Sequence, residues 1–543
     1  MSNSNVDKKE ISAFQKQTFM YHAKFPVGKM SIRAKSCTAQ ELQYAYTPGV
    51  GYICEQIKQD PQLAKKLTMV GNNVCVISNG TAVLGLGDLG ALASKPVMEG
   101  KALLMRKLAG ISATELCIEE KDVDKLFHII KACSVSFGCI NLEDIKAPEC
   151  FILLEKLQNT LNIPVFHDDQ DGTAVVVVVA LLNALKLVGK DLRNVKLVGM
   201  GAGAAMIASL RLLEEFGLKP EQVFLFDSKG YIDDSRDDLS EQKARYAKSV
   251  SDQDPFIGAD VFLGLSAANM LSLERVGMMC ERPVILAMAN PVPEILPEQV
   301  YKVRPHAIVG TGRSDFPNQV NNSTCFPYLF RAVLDCGASK ITLNMLKAMV
   351  EGLMELVGDD LSPTYIIPST IEPRLPYFVV NKVIKAAVTD RVATLEPDHK
   401  IMHAYMFDVS VWNELFELKP RNNVELCIDS MHYLNEYIKH FSATNAQDHW
   451  KIQAKHNGEL NLVHLFRAGD EVLSVQANGV QKVDDFLFNQ LKIQTIQIDL
   501  QTCFKLYDYI CSLDVERKIA YVSPEQLIAP SKVMFTSALI SVL

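Results

Sequence analysis

The chain has 543 residues, 48% hydrophobic and 22% charged, with a net charge of -8. This is the composition of an ordinary soluble protein, long enough for about two to four domains with separate cores. The acidic balance argues against a nucleic-acid footprint, and no basic stripe or aromatic-rich RNA motif appears.

The first residues, "MSNSNVDKKEISAFQKQ", lack the apolar core of a signal peptide and are neither Arg-rich nor acid-poor. Thirteen cysteines are scattered without a CxxC pattern. An odd, dispersed set fits reduced thiols better than a disulfide framework, so a cytoplasmic location is expected.

Residues 1–165 carry long helical pieces, among them "KPVMEGKALLMRKLAG" and "PECFILLEKLQNTL". Between them, "NLEDIKAPECF" holds an adjacent acid pair, Glu143 and Asp144, in a segment that turns at Pro148. A second pair, Asp168 and Asp169, opens "FHDDQDGTA", with Asp171 two places on. Either pair alone is read as a solvated loop or a helix cap. Two pairs with apolar flanks suggest an all-oxygen site for Mg²⁺ or Mn²⁺, and no His/Cys cluster competes for a zinc reading.

The run "TAVVVVVALLNALKLVG" is short for a membrane span and contains Asn183 and Lys186, which predicts a buried helix. From Asn194, "VKLVGMGAGAAMIASLRLLEEFG" reads as strand, glycine turn and amphipathic helix, and "VFLFD" as a second strand ending on Asp227. Further strands are expected in "DVFLGLS", "PVILAMAN" and "HAIVGTG". Strands alternating with helices predict a parallel, doubly wound sheet of Rossmann type. Ligands in such sheets sit beyond the carboxyl ends of the strands, so Ser266, Asn290 and Gly310 to Gly312 are expected to face one crevice.

Gly201 and Gly203 fit a backbone that approaches a pyrophosphate, and Asp227 follows Gly203 by 24 residues, where a ribose 2′-hydroxyl is read. A lone GxG can serve packing alone, but strand, glycines, helix, strand and acid in order support dinucleotide binding. A tyrosine and a lysine are ordinary residues by default, and spacing alone does not single out Tyr46 or Lys101.

Residues 166–393 thus form the expected NAD(P)-binding domain, after an N-terminal α/β lobe at 1–165. After about residue 393 the pattern changes. "WKIQAKHNGELNLVHLFRAGDEVLSVQANG" alternates with period two, with turn signals at His456-Asn457-Gly458 and Ala468-Gly469-Asp470. Residues 394–543 are therefore expected to be a small α+β accessory domain, ending in the apolar run "FTSALISVL". A regulatory or assembly role is its expected use.

The segments "AYTPGV", "SNGTAVLGLGDLGALASKPVMEGKALL", "LEDIKAPECF", "FHDDQDGTA", "LVGMGAGAA", "MANPVPE" and "TGRSDFPNQVNNSTCFP" occur in this order. With "IIPSTIEPRLPYFVVNKVIKAAV", the pattern from about residue 20 to about 393 resembles the shorter, bacterial-type branch of the malic enzymes. The resemblance implies oxidation of L-malate with NAD or NADP, followed by decarboxylation to pyruvate, in a homodimer or higher homo-oligomer. It implies that Glu143, Asp144 and Asp169 bind the divalent metal, and that Asp168 orients and tunes the lysine. Lys101 matches the general base and Tyr46 the general acid. Asn290 and Asn322 match the amides that hold the substrate's carboxylates. A base at neutral pH calls for a lysine of lowered pKa.

Two positions depart from the family pattern, and a third, Ala82, differs only from the larger members, as the shorter branch does throughout. Asp171 stands where a histidine or an amide is usual, and Met206 where Gly or Ala completes the phosphate turn. Ala82 lies where larger members carry an arginine. A shifted reading, Gly199-x-Gly201-x-x-Ala204, also meets the glycine pattern. Two other functions stay open on residues alone. An amino-acid dehydrogenase would have no use for the metal acids, and a nucleotide-sensing protein would have lost turnover.

Overall fold

The computed structural model describes residues 42–395, except 84, 85, 251 and 373, together with strand segments within 448–498. The chain divides into two compact units, Met1–Met402 and His403–Leu543. Thr394 and Leu395 still belong to the first unit, because both amides donate to the Cys336 carbonyl at 3.0 Å. The Thr394 hydroxyl also accepts from Lys65 Nζ at 3.1 Å.

The first unit contains two sheets. The smaller is ordered β2-β1-β3-β4, with β1 Asn73–Ser78, β2 Ser112–Cys117, β3 Cys139–Leu142 and β4 Val165–His167. All its pairings are parallel. Every residue of β1 and β3 is buried, as expected of inner strands of a parallel sheet covered by helices. One face is closed by the helices Val123–Cys133 and Glu149–Thr160, whose Leu126, Ile130, Leu153 and Leu157 share a core with Ile77, Ile140 and Leu142. The helix Ala91–Ala109 packs against β1 and β2.

The larger sheet is ordered β10-β9-β8-β5-β6-β7. Its strands are β5 Leu197–Met200, β6 Val223–Asp227, β7 Gly230–Tyr231, β8 Val261–Gly264, β9 Val284–Ala287 and β10 Ile308–Thr311. Only the β6–β7 pair is antiparallel. The chain winds outward from β5 in one direction and returns to β8 on its other side. This makes the β5/β8 boundary the topological switch point, where such sheets leave a crevice. The doubly wound sheet read from the alternating pattern is present.

The helix Thr173–Val188 follows β4 and precedes β5. It is apolar nearly all round, which makes it a core helix rather than a surface one. By length and composition the stretch Asp168–Val188 suffices to cross a membrane, but 72% of its most apolar window is buried inside the fold. Its interior amide Asn183 donates to the Ile366 carbonyl at 2.9 Å, which satisfies the buried polar group.

In the second unit a four-stranded sheet is ordered β13-β12-β11-β14. Its strands are β11 Asp448–His456, β12 Glu459–Ala468, β13 Glu471–Ala477 and β14 Thr495–Ile498. The first three pair antiparallel, and their reversals fall at the two turn signals read from the sequence. The run "FTSALISVL" and the expected helical part of this unit lie outside the described residues.

Candidate active site

The site grows out of the smaller sheet. β3 and β4 pair in parallel with Leu142 opposite His167. Each strand then runs directly into an acid pair, so Glu143-Asp144 and Asp168-Asp169 emerge side by side from neighbouring strand ends. The Glu143 amide continues the ladder, donating to Ile77 O at 2.9 Å. Asp144 then turns into the left-handed region at φ 52°, a conformation that aspartate tolerates better than most residues. Its amide donates to Asp169 Oδ2 at 3.3 Å.

Glu143, Asp144 and Asp169 each offer an oxygen within 4.8 Å of the others, and all three are buried or half-buried. An oxygen-only donor set of this kind suits a hard divalent cation such as Mg²⁺ or Mn²⁺. Asn141 holds one wall, donating from Nδ2 to Glu143 Oε2 at 2.9 Å.

Asp168 to Gly172 form a π-helical turn ahead of the helix Thr173–Val188. A Cβ at Gly172 would lie 2.2 Å from Asp168 Oδ1, so a larger residue there would displace that carboxylate. Asp171 shares the turn at the helix N-terminus, where negative charge is favoured, and is not among the three grouped acids.

Lys101 reaches this cluster from the helix Ala91–Ala109. The helix buries Ala91, Ser94, Met98, Ala102, Met105 and Ala109, a stripe at helical spacing, and Lys101 lies along its border. Its Nζ donates to Asp168 Oδ2 and to Asn322 Oδ1, the latter at 3.4 Å. It also lies 3.1 Å from Glu143 Oε1 and 4.7 Å from the centre of the Phe326 ring. Residues far apart in sequence thus place one amine between acids from two strands and an amide from Asn322–Thr324.

Burial dominates the electrostatics of the acids. It pushes Glu143 and Asp168 up to about 7 and Asp171 up to about 6, and it raises Asp169. Burial also holds His167 neutral, its pKa lowered to about 4. For Lys101 burial favours the neutral amine, but Asp168, Glu143 and Asp169 outweigh it and raise the pKa above the ordinary lysine range. The lowered pKa expected of a base is therefore not produced by the protein groups themselves.

The second part of the site lies at the end of the larger sheet. Gly201 has φ 91°, and a Cβ there would stand 2.2 Å from the Leu265 carbonyl, so the β5/β8 switch point admits only glycine. At Gly203 a Cβ would meet nothing within 4 Å, which leaves the approach to the following helix open. That helix begins at Ala204, with Gly203 as its N-cap. The departure at Met206 is explained by packing. Its side chain is fully buried, with Sδ 3.1 Å from where a Cβ on Gly199 would sit. Gly199 lies inside β5 and makes room for Met206.

Ser266 and Asn290 both lie just past strand ends, but Gly310 does not open into a crevice. It is inside β10, where a Cβ would stand 3.0 Å from a Leu286 methyl and 3.2 Å from a Val320 methyl. Gly312 makes room for Asn290, whose Nδ2 lies 2.8 Å from the position of a Cβ on that glycine. Glu294, a fully buried acid from "MANPVPE", ties the strand ends together. It accepts from the Ser266 amide and hydroxyl at 2.8 and 3.0 Å, and from the Ala289 amide at 3.1 Å. Sequence reasoning missed this residue, although a carboxylate within a Pro-rich strand exit was a usable signal.

Asp227 ends β6 with its side chain 8% exposed, and two basic side chains hold it. Arg236 donates to both its oxygens at 3.0 Å, Lys243 donates to Oδ2 at 2.9 Å, and the Lys229 amide donates to Oδ1 at 3.0 Å. Burial works to raise its pKa, but these donors prevail and hold the carboxyl well below the usual range. Arg236 and Lys243 were also missed, since the loop that carries them has no periodicity to place them.

Tyr46 is 70% exposed, on a stretch with exposed Tyr44, Val50 and Tyr52, and no described hydrogen bond joins it to Lys101, Asp168 or Asn322. The helix that follows, Gly49–Gln59, buries none of its residues.

Two family models match this chain: malic enzyme, N-terminal domain, over residues 29–121, and malic enzyme, NAD binding domain, over residues 170–388. It is 48% identical over 403 residues to a protein of Escherichia coli K12 named NADP-dependent malic enzyme, covering 70% of this chain and 53% of that one. It is 44% identical over 382 residues to the bifunctional malic/malolactic enzyme of Bacillus subtilis, covering 68% of this chain and 92% of that one. The crystal structure of the NAD-dependent malic enzyme of Thermotoga maritima superposes with a TM-score of 0.63 at 39% identity, covering 69% of this chain and 99% of that one. The chain spans about half the length of several of the curated relatives it matches.

Proposed function

Since this chain belongs to the malic enzyme family, we propose that it oxidises L-malate with NAD or NADP and releases pyruvate and CO₂. The observation that carries the reading is Lys101, held by Asp168 and Asn322 and 3.1 Å from one member of the acid triad. An amine beside a metal-binding carboxylate is what removal of a proton from a coordinated hydroxyl requires.

Glu143, Asp144 and Asp169 would hold Mg²⁺ or Mn²⁺. Such a cation, when bound, polarises the oxygen at C2 and accepts electron density as the carboxylate is lost. Its charge also offsets the acids that favour the ammonium form of Lys101. Lys101 takes the C2 hydroxyl proton as hydride leaves for the nicotinamide, and Asp168 keeps the amine aimed. Asn290 and Asn322 bind the substrate carboxylates. Gly201, Gly203 and Ala204 form the turn toward the pyrophosphate, and Ser266 lines the adjoining strand end.

Tyr46 is the proposed acid that protonates C3 of the enol product. The exposed apolar stretch around it supports a homodimer or higher homo-oligomer, in which a second copy covers that surface. The partners are then a small dicarboxylic acid and further copies of the chain, with no nucleic acid or membrane.

An initial-rate assay with malate, Mn²⁺ and either dinucleotide tests the reading. Reduced nucleotide and pyruvate should form together in equal amounts. Oxidation of an amino acid without a metal requirement, or dinucleotide binding with no turnover of malate, would replace it by one of the two rival functions.

A further inference from the structure

The stretch "NNSTCFP" places two hydroxyl residues directly after Asn322, ahead of the helix Phe326–Asp335. Ser323 is buried and Thr324 fully so. Buried hydroxyls need partners. Both of these reach Thr370, which lies 47 and 46 residues further along the chain.

Counting donors fixes the direction of these bonds. The Ser323 amide donates to Asn321 Oδ1 at 2.9 Å, which identifies that atom as the carboxamide oxygen, a pure acceptor. The Ser323 hydroxyl also donates to it, and so has used its one proton. Thr370 Oγ1, 2.8 Å from Ser323 Oγ, must then be the donor between those two. Its proton is used in turn, so the Thr324 hydroxyl donates to Thr370 Oγ1 across 3.3 Å. The result is one directed chain, Thr324 to Thr370 to Ser323 to Asn321, which holds the neighbours of Asn322 on both sides.

The segment that carries Thr370 is itself tied to this region. Asn318 Nδ2 donates to the Val309 and Pro363 carbonyls at 2.9 and 2.8 Å, and Asn318 Oδ1 accepts from the Ile366 amide at 3.0 Å. The Tyr328 hydroxyl stands 3.5 Å from the Thr370 carbonyl. Thr370 is therefore a fixed point against which the turn is set. Asn322 needs one, because its bond from Lys101 is 3.4 Å long and aims an amide weakly. Its direction then depends on the backbone turn beneath it.

We infer that Thr370 is a positioning residue for Asn322, holding the turn Asn321–Thr324 so that this amide meets a carboxylate of the substrate. The role rests on the malate reading above, and Thr370 acts through the turn alone. Loss of its hydroxyl takes the donor from Ser323 and the acceptor from Thr324. The buried Thr324 hydroxyl must then find another partner by shifting the turn.

Thr370→Val and Thr370→Ser test this on the full chain, since valine keeps the shape of threonine and serine keeps its hydroxyl. Steady-state rates with malate, Mn²⁺ and dinucleotide should show the KM for malate raised about fivefold or more in Thr370→Val, the change expected for about one hydrogen bond. The kcat and the KM for dinucleotide should change by less than about twofold, as when binding is lost equally from ground and transition states. Thr370→Ser should restore the KM for malate. Hydrogen exchange read by mass spectrometry should quicken at the amides of residues 321–325 in the valine variant alone. An unchanged malate KM in Thr370→Val, an equal rise in Thr370→Ser, or a parallel rise in the dinucleotide KM would overturn the proposal. A wild type that turns over no malate would sink the malate reading instead. The exchange rates would still decide whether Thr370 holds the turn, and equal rates in wild type and Thr370→Val would overturn that.

Discussion

Lys101 Nζ stands 3.1 Å from Glu143 Oε1, so the proposed base and one arm of the proposed metal site are in direct contact. Removing the amine therefore acts on two functions in opposite directions. Lys101→Ala should lower malate oxidation by roughly 10²-fold or more through loss of the base. The same variant should bind Mn²⁺ more tightly, because a cationic neighbour of the carboxylates has gone. Steady-state rates and metal calorimetry on one preparation check both halves. Unchanged or weaker Mn²⁺ binding would mean that the contact does not couple the two.

Tyr46→Phe should behave differently, retaining more hydride transfer than Lys101→Ala while losing protonation at C3. Deuterium exchange at C3 of pyruvate reports that step directly. Equal exchange in wild type and variant would remove Tyr46 from the role of acid.

The acid loop makes a prediction about metal. Asp169 belongs to the group of three carboxylates and Asp171 does not. Asp169→Ala should raise the Mn²⁺ needed for half-activity by at least about tenfold, or abolish turnover, while Asp171→Ala does much less. Thermal melts add a readout independent of catalysis. Mn²⁺ should raise the melting temperature of the wild type, since a ligand bound only to the folded state stabilises it, and Asp169→Ala should lose most of that rise. Matching metal responses in the two variants would refute this division of the loop.

The two turn glycines should separate folding from binding. In Gly201→Ala a methyl group is forced toward the Leu265 carbonyl at a backbone angle that disfavours side chains, so stability should fall by about 1–3 kcal/mol. In Gly203→Ala the methyl enters open space, so stability should change by less than about 0.5 kcal/mol. Its loss should appear in dinucleotide affinity instead, because the methyl occupies the approach to the helix N-terminus. Urea denaturation and nucleotide titration distinguish the outcomes, and a Gly203→Ala protein with full affinity would move the pyrophosphate elsewhere.

Asp227 should contribute to stability in a pH-dependent way. Its pKa in the folded chain is lowered by Arg236, Lys243 and the Lys229 amide, against an unfolded value of about 3.9. A depressed acid stabilises the fold fully above its unfolded pKa and progressively less as pH falls toward its folded pKa. Asp227→Asn should therefore cost about 1–3 kcal/mol at pH 7, with the gap to wild type narrowing as pH drops from about 5 to about 3. Denaturation midpoints across that range decide it, and a gap that widens toward acid would contradict the assigned sign.

Much of this protein was readable one segment at a time. The helix Thr173–Val188, the strand–glycine–helix unit around Gly201 and the hairpin reversals after His456 and Ala468 follow from local chemistry. Apolar periodicity, turn residues and the conformational range of glycine act over a few neighbours, so a linear reading captures them. The order of the motifs likewise pointed to Glu143, Asp144 and Asp169 as a set. What only the tertiary structure decided are the distances between groups on different elements. The Leu142–His167 register brings the two acid pairs together, and the helix carrying Lys101 delivers its amine among them. Whether Lys101 favours its charged form depends on three carboxylates summed against burial, a balance absent from any one segment. Asp227 makes the same point, for its place at a strand end was legible, but its partners Arg236 and Lys243 were not. Those bonds depend on the path of an irregular loop, and the path is set by packing and charge in space rather than by spacing along the chain.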